Sequence, residues 1–251
     1  MELFLAWNVL GSRKTKLKPR IPSDQRVYAI GDVHGRADLL ANLFARIDSD
    51  LRARPIRHSI HVLLGDYIDR GPDSRQTVEL LIERRKGYDL IPLKGNHEQC
   101  ALNVLRDPSS VLQWKAIGGL NTILSYGVAP KWSDDLESMS AIAQAFTNNL
   151  PEPHRRFLQS LPLSFTCGDF FFVHAGARPG IRLHEQSEND LLWIREDFLL
   201  HEEDFGKVVV HGHTPNLEPE VKPNRINIDT GAYATGRLTC LVLEDDDMRF
   251  L

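Results

Sequence analysis

The sequence predicts an α/β fold in which helices pack on a parallel sheet. Three observations predict it. Between residues 26 and 99, apolar β-branched-rich runs alternate with segments of helical spacing. The first two runs end in Gly-Asp and the third opens into Gly-Asn. Runs of the same kind return after residue 165, beyond a stretch with no obvious strand.

RVYAIGD (26–32) is the first strand and SIHVLLGD (59–66) the second. Between them, ADLLANLFARIDSDL places Leu39, Leu40, Leu43, Phe44, Ile47 and Leu51 on one helical face. PDSRQTVELLIERRK (72–86) opens with turn and capping residues and carries Val78, Leu81 and Ile82 as its buried stripe. YDLIPL (88–93) reads as the third, buried strand. Two βα units in succession imply parallel strands, because parallel neighbours need a crossover connection.

From residue 100 to about 165 the apolar spacing is helical, broken at Gly118-Gly119 and between Pro151 and Pro153; this predicts a mainly helical insertion. Strand patterns return at DFFFVHAG (169–176), KVVVHGHT (207–214), RINIDTG (225–231) and RLTCLVLED (237–245). The last two are separated by AYAT and are expected to form an antiparallel hairpin. The chain reads as a tail (1–22) followed by one domain (23–251).

Composition narrows the function classes. A net charge of −4 offers no basic footprint, so nucleic acid is not an expected partner. The three cysteines, Cys100, Cys167 and Cys240, are odd in number and far apart, which suggests a reducing, cytoplasmic setting rather than a disulfide framework. No apolar run approaches the ~20 residues of a membrane span. The N-terminal MELFLAWNVLGSRKTKLKPR has its apolar residues before its basic ones, the reverse of a signal peptide. A loosely docked tail is expected there, with a membrane-surface contact through Leu3, Phe4, Leu5 and Trp7 as the lesser alternative.

Polar residues collect where the apolar strands stop: Asp32 and His34; Asp66, Asp69 and Arg70; Asn96 and His97; His174; His211 and His213. In open α/β sheets ligands bind at the carboxyl ends of strands, so these groups are expected at one edge. Asp32 and Asp66 there would repel by roughly 4 kcal/mol at 4 Å and an effective dielectric near 20. A cation resolves this. In an extended segment residues i and i+2 point the same way, so Asp32 and His34 can share one ion. Carboxylates, imidazoles and an amide together suit manganese, iron or zinc. The donors are too many for one ion with an open position but suffice for two sharing Asp66, the recurring device of phosphoester hydrolysis. Singly, each residue has a plainer role, such as helix N-cap for an Asp or core histidine for His174. Their conjunction, each at a strand end, favours the site.

GDVHG (31–35), GDYIDRG (65–71), GNHEQ (95–99), HAG (174–176) and GHTP (212–215) resemble the phosphoprotein phosphatase superfamily of metallophosphoesterases, in detail its bacterial and phage serine/threonine phosphatases. The resemblance runs from about residue 26 to 245 and includes GGLNTILSYG, LLWIRE and NIDTGAYATGRLTCL. It implies a calcineurin-like domain, a central β-sandwich flanked by helices, with two divalent metal ions between the sheets. Manganese is expected, with iron or zinc compatible. Asp32 and His34 are then expected on the first metal, Asp66 bridging, and Asn96, His174 and His213 on the second. On that resemblance a metal-bridging hydroxide is expected to attack phosphorus in line. His97, held by Asp69, is expected to protonate the leaving group, and Arg70, Arg195 and Asn96 to contact the phosphate. His211 is an extra, expected to support or pack. Glu98 is expected to support its loop rather than touch metal.

The resemblance implies phosphorylated protein substrates, with phosphoserine and phosphothreonine first and phosphotyrosine open, as is oligomeric state. The alternative is a symmetrical diadenosine tetraphosphate hydrolase or another nucleotide phosphohydrolase. Symmetrical hydrolases carry Ala where Asp69 stands, GNHD for GNHE and GHW for GHT, and an anhydride leaving group depends less on an acid. A metallophosphodiesterase ends in GHxH, where this chain has Pro215. An inactive metal-binding module would have degraded ligand positions, and none is degraded.

Overall fold

Strands and helices alternate as the periodicities require in the computed structural model of the chain, which describes residues 18–129, 133 and 135–251. The N-terminal Leu3, Phe4, Leu5 and Trp7 lie outside the described residues. The first half runs β1 (Gln25–Ile30), α1 (Ala37–Ala53), β2 (His58–Leu63), α2 (Ser74–Arg84) and β3 (Asp89–Pro92). Five helices follow: α3 (Asn96–Val104), α4 (Val111–Ala116), α5 (Gly119–Ser125), α6 (Leu136–Asn149) and α7 (Glu152–Gln159). The second half runs β4 (Ser164–Cys167), β5 (Phe170–Val173), α8 (Glu188–Trp193), α9 (Glu196–Leu199), β6 (Val208–His211), β7 (Glu220–Val221), β8 (Arg225–Asn227), α10 (Ala232–Thr235), β9 (Cys240–Glu244) and β10 (Asp247–Phe250).

The strands form two mixed five-stranded sheets, β10-β9-β1-β2-β3 and β4-β5-β6-β8-β7. β1, β2 and β3 are parallel neighbours in one, and β5, β6 and β8 in the other. Side-chain alternation makes the sandwich. Val27 and Ala29 of β1 face Phe170, Phe172, Val208 and Val210 of the second sheet, in one apolar layer. Tyr28 and Ile30 face the other way, onto α1, α2 and the inserted helices. Phe171, Val173 and Val209 pack outward on Leu191, Ile194 and Phe198. The result is the α/β sandwich flanked by helices, with a mainly helical segment between its halves. No helix among the described residues is long and apolar enough to cross a membrane.

One expectation is corrected. RINIDTG and RLTCLVLED do not form a hairpin: β8 lies in the second sheet, while β9 pairs with β1 and β10 in the first. AYAT is the helical turn α10, flanked by Gly231 and Gly236 with φ of 63° and 72°. It carries the chain from one sheet to the other, past the edge where the polar residues gather. Both runs are apolar and of strand length, so their pattern does not reveal which sheet each one joins.

Candidate metal centre

Five parallel strands deliver their carboxyl ends to one edge of the sandwich. β1 leads into Asp32 and His34, β2 into Asp66, Asp69 and Arg70, and β3 into Asn96 and His97. β5 ends before His174 and β6 before His213. His34 Nε2 lies 3.4 Å from Asp66 Oδ2, and His97 Nε2 lies 3.7 Å from the same oxygen. His174 Nε2 lies 3.5 Å from Asp66 Oδ1 and 2.9 Å from Asn96 Oδ1. His213 Nδ1 sits 3.0 Å from Asn96 Oδ1 and 3.2 Å from His174 Nε2. All of these residues are buried except Arg70, which is half-buried.

The backbone is bent to achieve this. Seven described non-glycine residues have positive φ, and five of them are His34, Asp66, Asp69, Arg70 and His213. Such left-handed residues are uncommon, and they persist only where the surroundings over-determine them. Glu98 is part of that constraint. Its buried carboxylate accepts from the backbone N–H groups of Asp66 (2.9 Å), Tyr67 (2.7 Å) and Gly95 (2.9 Å), so it supports the loop as expected. Glycine is required by close approach at two points: a Cβ on Gly95 would lie 2.1 Å from Asp66 Oδ1, and one on Gly212 2.0 Å from Asp32 Oδ1.

The donor set fits cations. His34 Nδ1 is 2.9 Å from Ile68 O and His174 Nδ1 is 2.9 Å from Leu64 O, so each donates there and turns its Nε2 lone pair toward Asp66. Lone pairs facing a carboxylate repel it unless a positive ion lies between. Two sets of ligand atoms result, His34–Asp66–His97 and Asp66–His174–His213, each within 4.8 Å and sharing Asp66. Asp32 lies beside them. Its Oδ2 accepts from His213 N–H at 3.0 Å; its Oδ1, like His213 Nε2, has no hydrogen-bond partner among the described residues.

The titration of the cluster tells the same story. Burial, then Asp229 and Asp66, pushes the Asp32 carboxyl well up. Burial lowers His34 to about 3 and His213 to about 2. Burial opposes ionisation of Asp66, but the imidazoles of His174, His97, His34 and His213 outweigh it and hold its carboxyl below the ordinary range. The chain thus gathers buried carboxylates and imidazoles whose charges depend on one another, a donor set that suits a divalent cation.

At the rim, His97 Nδ1 and Asp69 Oδ2 are 2.6 Å apart. Burial lowers His97, yet Asp66 and Asp69 outweigh it and leave its pKa raised. Arg70 Nη2 sits 3.2 Å from His97 Nε2, and Arg70 Cζ is 4.9 Å from the Tyr233 ring. Arg195 Nη1 donates to Thr214 Oγ1 at 3.3 Å, next to His213; Asp197 pairs with Arg178 instead. His211 is buried outside the cluster, its ring edge-on to Phe198 at 4.9 Å.

Sequence reasoning missed Asp229. It is buried, its Oδ1 accepts from Gly231 N–H at 2.9 Å, and its carboxyl is pushed up to about 6, first by burial. The signal was present: RINIDTG is another apolar run that ends in an Asp.

The model of the calcineurin-like phosphoesterase family matches residues 25–244, and the chain belongs to that family. Among curated relatives, the asymmetrical bis(5'-nucleosyl)-tetraphosphatase PrpE of Oceanobacillus iheyensis is 26% identical over 85% of this chain and 87% of its own. The serine/threonine-protein phosphatase BSL2 of Arabidopsis thaliana is 32% identical, but over 40% of this chain and 10% of its own. Solved structures share the fold. One described provisionally as a diadenosine tetraphosphatase covers 94% of each chain at TM-score 0.61 and 20% identity. A protein serine/threonine phosphatase from Saccharomyces cerevisiae covers 93% of this chain and 83% of its own at TM-score 0.52 and 15% identity.

Proposed function

We propose that this chain is a metal-dependent phosphohydrolase in which water attacks phosphorus directly, with dinucleoside tetraphosphates as its substrate class. The observation that carries the chemistry is the convergence on Asp66 of His34 from one side and of His174 and His213 from the other, with the Asp69–His97 contact beside them. The substrate class is supported by similarity to asymmetrical tetraphosphatases along most of both chains.

Asp32, His34, Asp66, Asn96, His174 and His213 would hold two divalent ions, manganese by first choice. These would supply the charge that neutralises phosphate and makes water nucleophilic at neutral pH. The chain's own groups do the rest. Arg70 and Arg195, with the Asn96 amide, bind the phosphate oxygens. His97 gives the Nε2 proton to the departing oxygen, while Asp69 accepts from Nδ1–H and stabilises the charged ring. Nε2 cannot accept from Arg70 and donate to the substrate at once. Substrate phosphate must therefore draw Arg70 away from the contact it makes here.

One observation favours a second reading, hydrolysis of phosphoserine and phosphothreonine in proteins. The 2.6 Å Asp69–His97 contact tunes an acid, and a serine alkoxide needs an acid more than a nucleotide phosphate does. The deciding experiment compares kcat/KM for diadenosine tetraphosphate with that for phosphoserine, phosphothreonine and phosphotyrosine peptides. The tetraphosphate is expected to win by at least about tenfold and to give unequal products; a difference of that size is ~1.4 kcal/mol in transition-state binding. Faster turnover of the peptides transfers the conclusion to the second reading.

A further inference from the structure

Asp69 and Arg70 stand side by side with left-handed backbone, φ 73° and 63°. Adjacent non-glycine residues hold that conformation only under constraint from outside. The constraint comes from one stretch of the helical segment, α4, α5 and the Gly118-Gly119 joint between them. Trp114 Nε1 donates to Asp69 Oδ2 at 2.8 Å, and Thr122 Oγ1 donates to Asp69 Oδ1 at 2.5 Å. Asp69 N–H is donated in turn toward Thr122 Oγ1 and Ser74 Oγ, both at 2.9 Å. Arg70 is gripped by the same stretch. Its N–H is donated to Gly118 O at 3.2 Å, and Asn121 Nδ2 donates to Arg70 O. A Cβ on Gly118 would lie 2.9 Å from Arg70 Cγ, so only glycine lets the segment come this close.

A carboxylate held by one bond can turn about its terminal torsion, which is broad and two-fold. Donors on both oxygens fix its plane. Trp114 and Thr122, both buried, supply those donors, and the lone pair of Oδ2 is left aimed at His97 Nδ1.

We infer that Trp114 and Thr122 are positioning residues, which orient the His97 proton donor through Asp69. The inserted helices are thereby part of the acid machinery as well as of the fold. This rests on the reading of His97 as the acid, and the test separates the two.

Four variants, Thr122→Val, Thr122→Ser, Trp114→Phe and Asp69→Asn, are assayed with manganese on an alkyl phosphate and on p-nitrophenyl phosphate. The alkoxide needs the proton and nitrophenolate needs it far less. For Thr122→Val and Trp114→Phe, kcat on the alkyl ester is expected to fall about 10- to 100-fold, the scale for a slightly misplaced reacting group. On p-nitrophenyl phosphate it should fall less than about threefold, with KM and bound manganese unchanged. Thr122→Ser keeps the hydroxyl and should restore the alkyl-ester rate. Equal losses on both esters, or an unchanged rate for Thr122→Val, overturn the positioning role when Asp69→Asn is selective for the alkyl ester. If Asp69→Asn is itself unselective, the reading of His97 as the acid falls, and the inference falls with it. Trp114→Phe leaves a hole beside Asp69, so Thr122→Val carries the result if Trp114→Phe does not fold.

Discussion

Two carboxylates of this protein, Asp50 and Asp66, are both buried and both ringed by basic side chains, yet only one ring is closed. Asp50 accepts from Tyr28 Oη at 2.7 Å, Arg249 Nη2 at 2.5 Å, Arg54 Nη2 at 2.8 Å and, at 3.4 Å, Arg26 Nη1. These neighbours carry protons and positive charge; burial raises the Asp50 carboxyl, but they outweigh it and hold it below its ordinary range. Asp66 accepts from the backbone N–H of His97 at 3.1 Å, while the ring nitrogens of His34, His97 and His174 stand 3.4–3.7 Å from it. Two of these neighbours, His34 and His174, are turned by backbone carbonyls so that their lone pairs point inward. One cluster balances its charge within the chain and knits β1, α1 and β10 together. The other leaves its balance to an ion.

The comparison breaks most sharply on metal removal. Hydrolysis of p-nitrophenyl phosphate should be lost in EDTA and restored by manganese, and Asp66→Asn should lose both activity and bound metal. Manganese at about 100 times its Kd should also raise stability by ~2.7 kcal/mol for each ion bound, read as a shift in Tm. Unchanged turnover after rigorous chelation would refute the metal centre. Next in size is His97→Asn. Its kcat on an alkyl phosphate should fall roughly 10²–10⁴-fold, the range of general acid catalysis, while both ions stay bound. A near-normal kcat on that ester removes His97 from the role.

Asp50→Asn tests the closed ring. It keeps the shape but leaves Arg26, Arg54 and Arg249 without their shared carboxylate. Stability should fall by about 3 kcal/mol, since Arg249 and Tyr28 lose a buried charged partner and Arg26 keeps only Glu244. Turnover at 25 °C should stay within about twofold, because Asp50 touches nothing at the metal edge. A large fall in kcat with unchanged stability would reverse the assignment of the two clusters.

The open ring was far more legible in the sequence than the closed one, for a physical reason. A strand that stops in Gly-Asp or Gly-Asn shows both the buried run and the abrupt polar group within eight residues, so Asp32, Asp66 and Asn96 stand out locally. Asp50 sits in an ordinary amphipathic helix, and Arg249 reaches it from 199 residues away. The contacts of Trp114 and Thr122 with Asp69 were hidden for the same reason, although Thr122 lies within GGLNTILSYG. The two residues lie 45 and 53 residues from Asp69, on helices whose apolar spacing accounts for them without any polar partner. Local periodicity encodes which residues are buried, not which buried polar atom they meet. The assignment of β8 and β9 to different sheets was hidden by the same limit, since sheet membership is a long-range property.

The smallest expected effect belongs to a third kind of buried polar group, one with neither a closed ring nor an ion to wait for. His61 on β2 is fully buried, edge-on to Tyr28 and stacked on Tyr88, and neither ring nitrogen has a hydrogen-bond partner among the described residues. Burial, then the Arg84 cation, lowers its pKa from 6.5 to about 4; Asp48 offsets only part of this. Below pH 6.5 the unfolded chain therefore binds a proton here that the folded chain refuses. Stability falls with pH across the window from 6.5 to about 4 and is fully kept above it. His61→Leu abolishes that slope. At pH 7 the variant should lie within about 1 kcal/mol of the parent, gaining from the loss of unpaired nitrogens and losing the stack on Tyr88. At pH 5 it should gain a further ~2 kcal/mol over the parent, from 1.36 kcal/mol per pH unit. Urea denaturation of both proteins at the two pH values measures this. The other buried histidines titrate alike in both, so the change in the difference between the two proteins belongs to His61 alone. A difference that does not grow on acidification would mean that the folded chain accepts the proton, and that water or a shifted Asp48 reaches the ring.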